Sequence, residues 1–208
     1  MFSEVSLFML LCVFISILIS MTLHEAMHAF SGLWLGDDTA QRERRISLNP
    51  LQHIDPFTTV LLPIVLIAAH LPPFFAAKPV PFNPNRVKYG EFGAALVGLA
   101  GPLTNLLLAF AGAGVLNIFK GLLGVDGVTF ITVFIMVNVA FFVFNMIPFP
   151  PLDGSRLLYA VAPDPVRRIM EQIESMGFTA IIVFMMIFFA FLGPFVVNIN
   201  RSILNFLL

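Results

Sequence analysis

Five long apolar stretches, separated by polar connectors, organise the chain. The first, from about Val5 to about Leu35, carries no charge over residues 5 to 22 and is long enough to cross a membrane as a helix. Gly36-Asp37-Asp38 then supplies a helix stop followed by charge. The connector from Asp37 to Asp55 holds Arg42, Arg44 and Arg45, and its Asn49-Pro50 step disfavours helix, so turns or short extended pieces are expected there. Residues 57 to 77 form the second stretch, interrupted by Pro63, His70 and Pro72-Pro73. They lead into Lys78-Pro79-Val80-Pro81-Phe82-Asn83-Pro84, where proline alternating with apolar residues predicts an extended edge strand or a polyproline-like loop.

The third stretch, about Phe92 to about Phe119, is rich in small residues that let helix backbones approach closely, with Pro102 and Asn105 inside it. The fourth, about Val128 to Ile147, is uncharged and runs into Pro148-Phe149-Pro150-Pro151-Leu152-Asp153-Gly154, a proline-rich break that frees the chain from helical geometry around Asp153. Between residues 155 and 176 the pattern changes. Asp164-Pro165 suits an N-cap and first turn, and Val166, Ile169, Met170 and Ile173 form an apolar stripe opposite Arg167, Arg168, Glu171 and Glu174. This predicts an interfacial helix lying on the bilayer over about 164–176. A last span is expected over about 178–197, with residues 198 to 208 lying along the surface.

Composition turns this pattern into a class. With 59% hydrophobic residues, 11% charged and a mean hydropathy of +0.95, the chain lies far outside the soluble globular range of about 25% charged. The prediction is an all-α polytopic membrane protein in the lipid bilayer, a single domain over 1–208. A net charge of −1 with dispersed basic residues argues against nucleic acid as a partner. Cys12 is the single cysteine, which rules out a disulfide framework and a cysteine metal site. The N-terminal apolar run continues into a polar motif and is read as a retained span, not a signal peptide.

Basic residues constrain the topology. If residues 57–77 dip into the membrane and return, Arg42, Arg44, Arg45, Lys78, Arg86, Lys88, Arg156, Arg167 and Arg168 share one side, leaving Lys120 and Arg201 on the other. A crossing would put the two basic connectors on opposite faces, against the positive-inside tendency. A re-entrant or hairpin element at 57–77, an outside N-terminus and four true spans are therefore expected. The same arrangement brings the ends of the first and fourth stretches to one face.

The first stretch contains His24-Glu25-Ala26-Met27-His28. Ionisable side chains in a spanning helix are costly and mark function unless a partner explains them. On a helix, His24 and His28 lie about 40° apart in azimuth and roughly 6 Å apart along the axis, so both imidazoles project from one face and suit a single metal. Glu25, rotated about 100° from His24, can stay off the metal and take a proton from a bound water. This is the HExxH arrangement of zinc metalloproteases, although paired histidines also hydrogen-bond across helix bundles without a metal. A catalytic zinc needs a third protein ligand. The candidates are His53, His70, Asp55, Glu91, Asp126 and Asp153, with Asp153 preferred because it follows a proline-broken helix end and has Gly154 beside it.

His24-Glu25-xx-His28, together with Asn145-Met-Ile-Pro148-Phe-Pro-Pro151-Leu152-Asp153-Gly154, resembles the site-2 protease family of intramembrane zinc metalloproteases. Gly101-Pro102-Leu-Thr-Asn105 is similar to that family's middle motif, and Leu48-Asn49-Pro50 through Pro56 and Lys78 through Pro84 resemble its compact bacterial and archaeal members. The resemblance implies a three-helix catalytic core over about 5–155 plus flanking helices, with a short re-entrant or extended element between the first and second core helices. It further implies Zn2+ held by His24, His28 and Asp153, Glu25 as general base, and Asn105 and Asn145 binding or orienting a membrane-protein substrate helix. The asparagines equally suit plain interhelical hydrogen bonds. The compact type implies the cytoplasmic membrane of a prokaryote. Two positions depart from it: Arg44 stands where a small residue is usual, and Thr58-Thr59 where a Gly-Thr pair is common. Because a helical substrate must unwind to be cut, Val80 to Asn83 is a candidate clamp that holds it extended. The rival from another class is a membrane metal transporter using His24, Glu25, His28 and Asp153 as transit ligands, for which Asn105, Asn117, Asn138 and Asn145 offer the remaining polar path.

Overall fold

The computed structural model of the protein describes residues 6–68, 77–177, 179, 180, 184 and 191–208. Among these residues three helices are long and apolar enough to cross a membrane: α1 (Leu7–Leu35), α4 (Gly90–Phe119) and α5 (Val125–Asn145). They pack against one another as the core bundle, and the described residues contain no strand, so the all-α polytopic reading holds. The side chains that remain outermost, such as Phe14 (58% exposed) and Ile118 (74%), are apolar, as a lipid-facing surface requires.

Each element starts and stops for a local reason. Ser6 caps α1 by accepting the Met9 N–H at 3.1 Å, and Gly36, at φ 108°, ends it in the left-handed conformation that glycine adopts without a Cβ penalty. The interior is built from small residues. Ala109 and Ala113 of α4 meet Ile135 and Val139 of α5 in one buried cluster, and a Cβ on Gly112 would lie 2.8 Å from Ile135, so that glycine sets how closely α4 and α5 approach.

The connector after α1 is a short helix α2 (Thr39–Arg42) and a 3-10 turn (Pro50–Gln52). Arg44 within it sits at φ 55°. That conformation costs a side-chain-bearing residue roughly 1–2 kcal/mol, which gives a physical reason for a small residue in related chains. Arg44→Gly is therefore expected to raise thermal stability slightly, by up to about 1 kcal/mol, readable as an upward shift of the unfolding midpoint.

Asp55 opens the next element by accepting the Thr58 and Phe57 N–H groups at 2.8 and 2.9 Å, and those donors hold its carboxyl below the usual carboxylate range. Thr59 returns the favour: its Oγ1 accepts the Asp55 N–H at 2.9 Å, so the threonine pair serves the cap. A π-helical turn (Pro56–Leu61) runs straight into α3 (Leu62–Ala68), thirteen residues in all. The described part amounts to about 20 Å of helix. The chain beyond it, at 69–76, lies outside the described residues. Its exit is nonetheless fixed, because the Lys78 N–H donates to His53 O at 2.8 Å and Arg45 donates to the carbonyls of Lys78 and Pro79. The two described ends of this segment, at His53 and Lys78, therefore lie side by side.

From there residues 78–83 run along α1 as extended chain without a strand ladder. Asp37, just past the end of α1, accepts the Asn83 N–H at 2.7 Å, and the Lys88 N–H donates to Leu35 O at 2.9 Å. These bonds pin the segment to the end of α1.

After α5 come two short helices, α6 (Ser155–Val161) and α7 (Asp164–Ser175). Pro163, not Asp164, occupies the N-cap of α7, and Asp164 is its first helical residue. Arg156 of α6 pairs with Glu174 of α7 at 2.6 Å, and Tyr159 Oη donates to the same carboxylate at 3.1 Å. Half of the expected last span over 178–197 falls outside the described residues. Residues 198–208 do not lie along the surface. They belong to α8 (Gly193–Leu207), whose Val196, Ile199, Ile203, Leu204 and Leu207 recur at helical spacing and pack into the Ile135–Val139 cluster of α5. Gly193-Pro194 was read as the end of a span, whereas helix continues through both residues from Phe191 onward.

Candidate metal centre

Three elements deliver the site. His24 and His28 project from one face of α1 towards α4, and Asp153 comes from the break after α5. That break is closed by the Gly154 N–H donating to Asn145 O at 2.7 Å. A Cβ on Gly154 would meet the Met146 and Ile147 carbonyls at 2.5–2.7 Å, so only glycine lets the loop fold back this tightly.

His24 Nε2 lies 3.1 Å from His28 Nε2 and 3.0 Å from Asp153 Oδ2, and the His28–Asp153 edge is 3.4 Å. Among the described residues no other group of three histidine, cysteine or acidic side chains converges in this way. His53 is fully buried and donates from Nε2 to Ser47 O at 2.8 Å, which is a structural role. Asp55 is engaged in its cap, Asp126 stands in the first turn of α5 at the far end of that helix, and Glu91 lines a separate cavity. His70 lies outside the described residues.

The hydrogen bonds behind the imidazoles determine what faces inward. Asn138 Nδ2 donates to Phe134 O at 2.9 Å, so its Oδ1 is the atom that accepts from Asn105 Nδ2 at 3.0 Å. Asn105 Nδ2 also donates to Ser20 O at 3.3 Å, which leaves Asn105 Oδ1 facing His24 Nδ1 at 2.6 Å. A carbonyl oxygen accepts, so Nδ1 of His24 carries the proton and its Nε2 presents a lone pair. His28 is held the same way, its Nδ1–H donating to Val97 O at 2.8 Å. The two Nε2 atoms and a carboxylate oxygen therefore face one another within 3.4 Å. Such an arrangement is relieved by a shared positive charge, either a proton between imidazole and carboxylate or a metal cation held by all three.

The donors suit zinc. Two neutral imidazoles and a carboxylate are a common catalytic ligand set, and an ion bound tetrahedrally at about 2.0–2.1 Å separates its donors by about 3.3 Å, close to the observed edges. The glycine at 101 leaves room beside them: a Cβ there would stand 2.4 Å from His28 Nε2 and 2.5 Å from His24 Nε2.

A cavity of about 820 Å³ opens onto this cluster, lined by Glu25, Val80, Asn145 and Asp153 among others. Glu25 Oε2 accepts the Val80 N–H at 3.1 Å, tying the acid to the extended segment. Asn145 lines the cavity, with its Nδ2 donating to Phe141 O at 3.0 Å. Asn105 does not reach the cavity. It is fully buried, and its amide is used by His24, Ser20 and Asn138, so the interhelical reading describes it and a direct substrate contact does not. Asn117, invoked for a transport path, is exposed on α4 and does not extend the polar line from Asn138. Val97 O, Gly101 and Asn138 were not singled out as site residues from sequence. A carbonyl carries no sequence signal, but Gly101, one turn after Gly98 in a helix that borders the HExxH face, could have been found.

The chain is thus a polytopic helical membrane protein with a partly buried His-His-Asp donor triad at one end of its bundle. Residues 113–192 match Peptidase family M50. The chain is 38% identical over 191 residues to "Putative zinc metalloprotease YwhC" of Bacillus subtilis, across 88% of this chain and 82% of that relative. It is 28% identical over 172 residues to "Putative zinc metalloprotease Rip2" of Mycolicibacterium smegmatis, across 80% of this chain and 63% of that relative. No solved structure matches. The chain belongs to peptidase family M50, the site-2 protease family read from its motifs.

Proposed function

We propose that the chain is an intramembrane zinc metalloendopeptidase of a prokaryotic cell membrane, hydrolysing peptide bonds within or near the transmembrane segments of membrane-protein substrates. The observation that carries this reading is the convergence of three lone-pair donors within 3.4 Å, beside a cavity that also contains an acid one residue from the first of them. Family membership supports it.

His24, His28 and Asp153 would hold zinc, which when bound supplies a water of lowered pKa and polarises the scissile carbonyl. Glu25 accepts the proton of the attacking water and returns it to the leaving amine. The Val80 N–H holds the Glu25 carboxylate in place without competing for the proton, since it donates and does not accept. Asn145, on the cavity wall, is positioned to contact an unwound substrate backbone. Asn105 acts behind His24, as a positioning residue.

The test uses the full chain in detergent or liposomes with a helical membrane substrate, its products identified by mass spectrometry. Chelation is expected to abolish cleavage and added zinc to restore it; cleavage that survives complete metal removal overturns the proposal. Asp153→Ala leaves two ligands and is expected to lower zinc affinity by more than about 100-fold, since even outer-shell changes cost 10–100-fold.

A further inference from the structure

The chain places a second asparagine, Asn138, one step further from the metal than Asn105. It is fully buried on α5, which otherwise offers the bundle an apolar face of Val133, Ile135, Val139 and Val143. A buried amide on such a face is costly unless both of its ends are used. Both are: Nδ2 donates to Phe134 O within its own helix, and Oδ1 accepts from Asn105 Nδ2. The first bond polarises the second. An Asn138 amide turned the other way would set its oxygen against the Phe134 oxygen and its NH2 against the NH2 of Asn105.

We infer that Asn138 is a positioning residue for zinc binding, acting through Asn105 to keep the proton of His24 on Nδ1. The inference rests on the proposed role of His24 as a ligand. Without Asn138, the Asn105 NH2 keeps only the longer 3.3 Å bond to Ser20 O behind its 2.6 Å contact with His24, so turning the NH2 towards His24 becomes less costly. Nδ1 would then be the acceptor, the proton would move to Nε2, and the lone pair would leave the metal side. The chain runs through all three spanning helices: α5 orients α4, and α4 orients the ligand on α1.

The experiment measures zinc affinity by chelator competition for the unaltered protein, Asn138→Leu, Asn105→Leu and the double variant. Asn138→Leu is expected to bind zinc about 10–100-fold more weakly, the usual cost of losing an outer-shell partner. Because Asn138 acts through Asn105, the double variant is expected to be no weaker than Asn105→Leu. Asn138→Ser, whose hydroxyl donates to Phe134 O and accepts from Asn105, is expected to recover part of the loss. Asn138→Ala, which deletes the amide without adding bulk, carries the same comparison if the leucine variant does not fold.

A second readout separates this role from a merely structural one. In the zinc-loaded protein the His24 Nδ1–H proton resonance is expected to move in Asn138→Leu, while that of His28, bonded to Val97 O, stays in place. Unchanged zinc affinity, equal and additive losses in the double variant, or a common shift of both histidine signals would each overturn the inference. Absence of zinc from the unaltered protein would remove the ligand assignment and this inference together. Zinc bound by the unaltered protein and held equally by Asn138→Leu would remove this inference alone.

Discussion

Glu25→Gln is expected to leave zinc content unchanged and to lower cleavage by about 100- to 10,000-fold, the span that positioned general acid–base catalysis contributes. The substitution is nearly isosteric. Its amide oxygen can accept the Val80 N–H as the carboxylate does, so the extended segment stays attached to α1. His24, His28 and Asp153 are untouched, which is why the metal stays. Only the capacity to take up a proton is removed. Glu25→Ala separates the two functions of the side chain, because it also releases Val80 and is expected to weaken substrate binding beyond the glutamine variant. The comparison is made on purified variants by metal analysis and by initial rates against one membrane substrate. Cleavage by Glu25→Gln at the unaltered rate would take Glu25 out of the proton-transfer step.

Where polarity changes sharply along the chain, the fold was legible. The uncharged run before His24 and the glycine at 36 give α1 to within two residues, because hydrocarbon allows little but a helix and the αL stop favours glycine. The re-entrant element expected at 57–77 rested on nine basic residues sharing one side; among the described residues, the bond from Lys78 to His53 sets its two flanks together. The convergence of Asp153 with the two histidines was accessible because a proline-broken helix end followed by glycine permits a tight reversal, and Gly154 lies against the Met146 carbonyl as that geometry requires. α8 was not legible. Its apolar stripe matters only through the complementary surface of α5, and surface-seeking and bundle-packing helices share one periodicity. Nor was the direction of Asn105. Spacing places it on α4, but whether its amide faces a substrate or an imidazole depends on how α4 rotates against α1, where Gly101 lets the two imidazoles approach.

Gly101→Ala is expected to abolish zinc binding while leaving the helices intact. The added methyl would stand 2.4 Å from His28 Nε2 and 2.5 Å from His24 Nε2, well inside the 3.0 Å below which such contacts are essentially unknown, so the rings must move. They have nowhere favourable to go. Each is tethered on its far side, His24 by Asn105 and His28 by Val97 O, and withdrawing a ring strains or breaks a buried hydrogen bond worth about 1–3 kcal/mol. A displacement of half an ångström also exceeds the roughly 0.2 Å over which zinc–ligand distances are tolerated. Alanine meanwhile favours the helix over glycine by up to about 1 kcal/mol, so α4 itself does not suffer. Gly114→Ala makes the same change on the same helix where a Cβ meets nothing within 4 Å, and is expected to bind zinc like the unaltered protein. Loss of zinc in the first variant, its retention in the second and equal helix content in both would show that the gap at 101 is reserved for the donors of the metal centre. Full zinc binding by Gly101→Ala would mean that the imidazoles bind elsewhere than in the geometry they hold here.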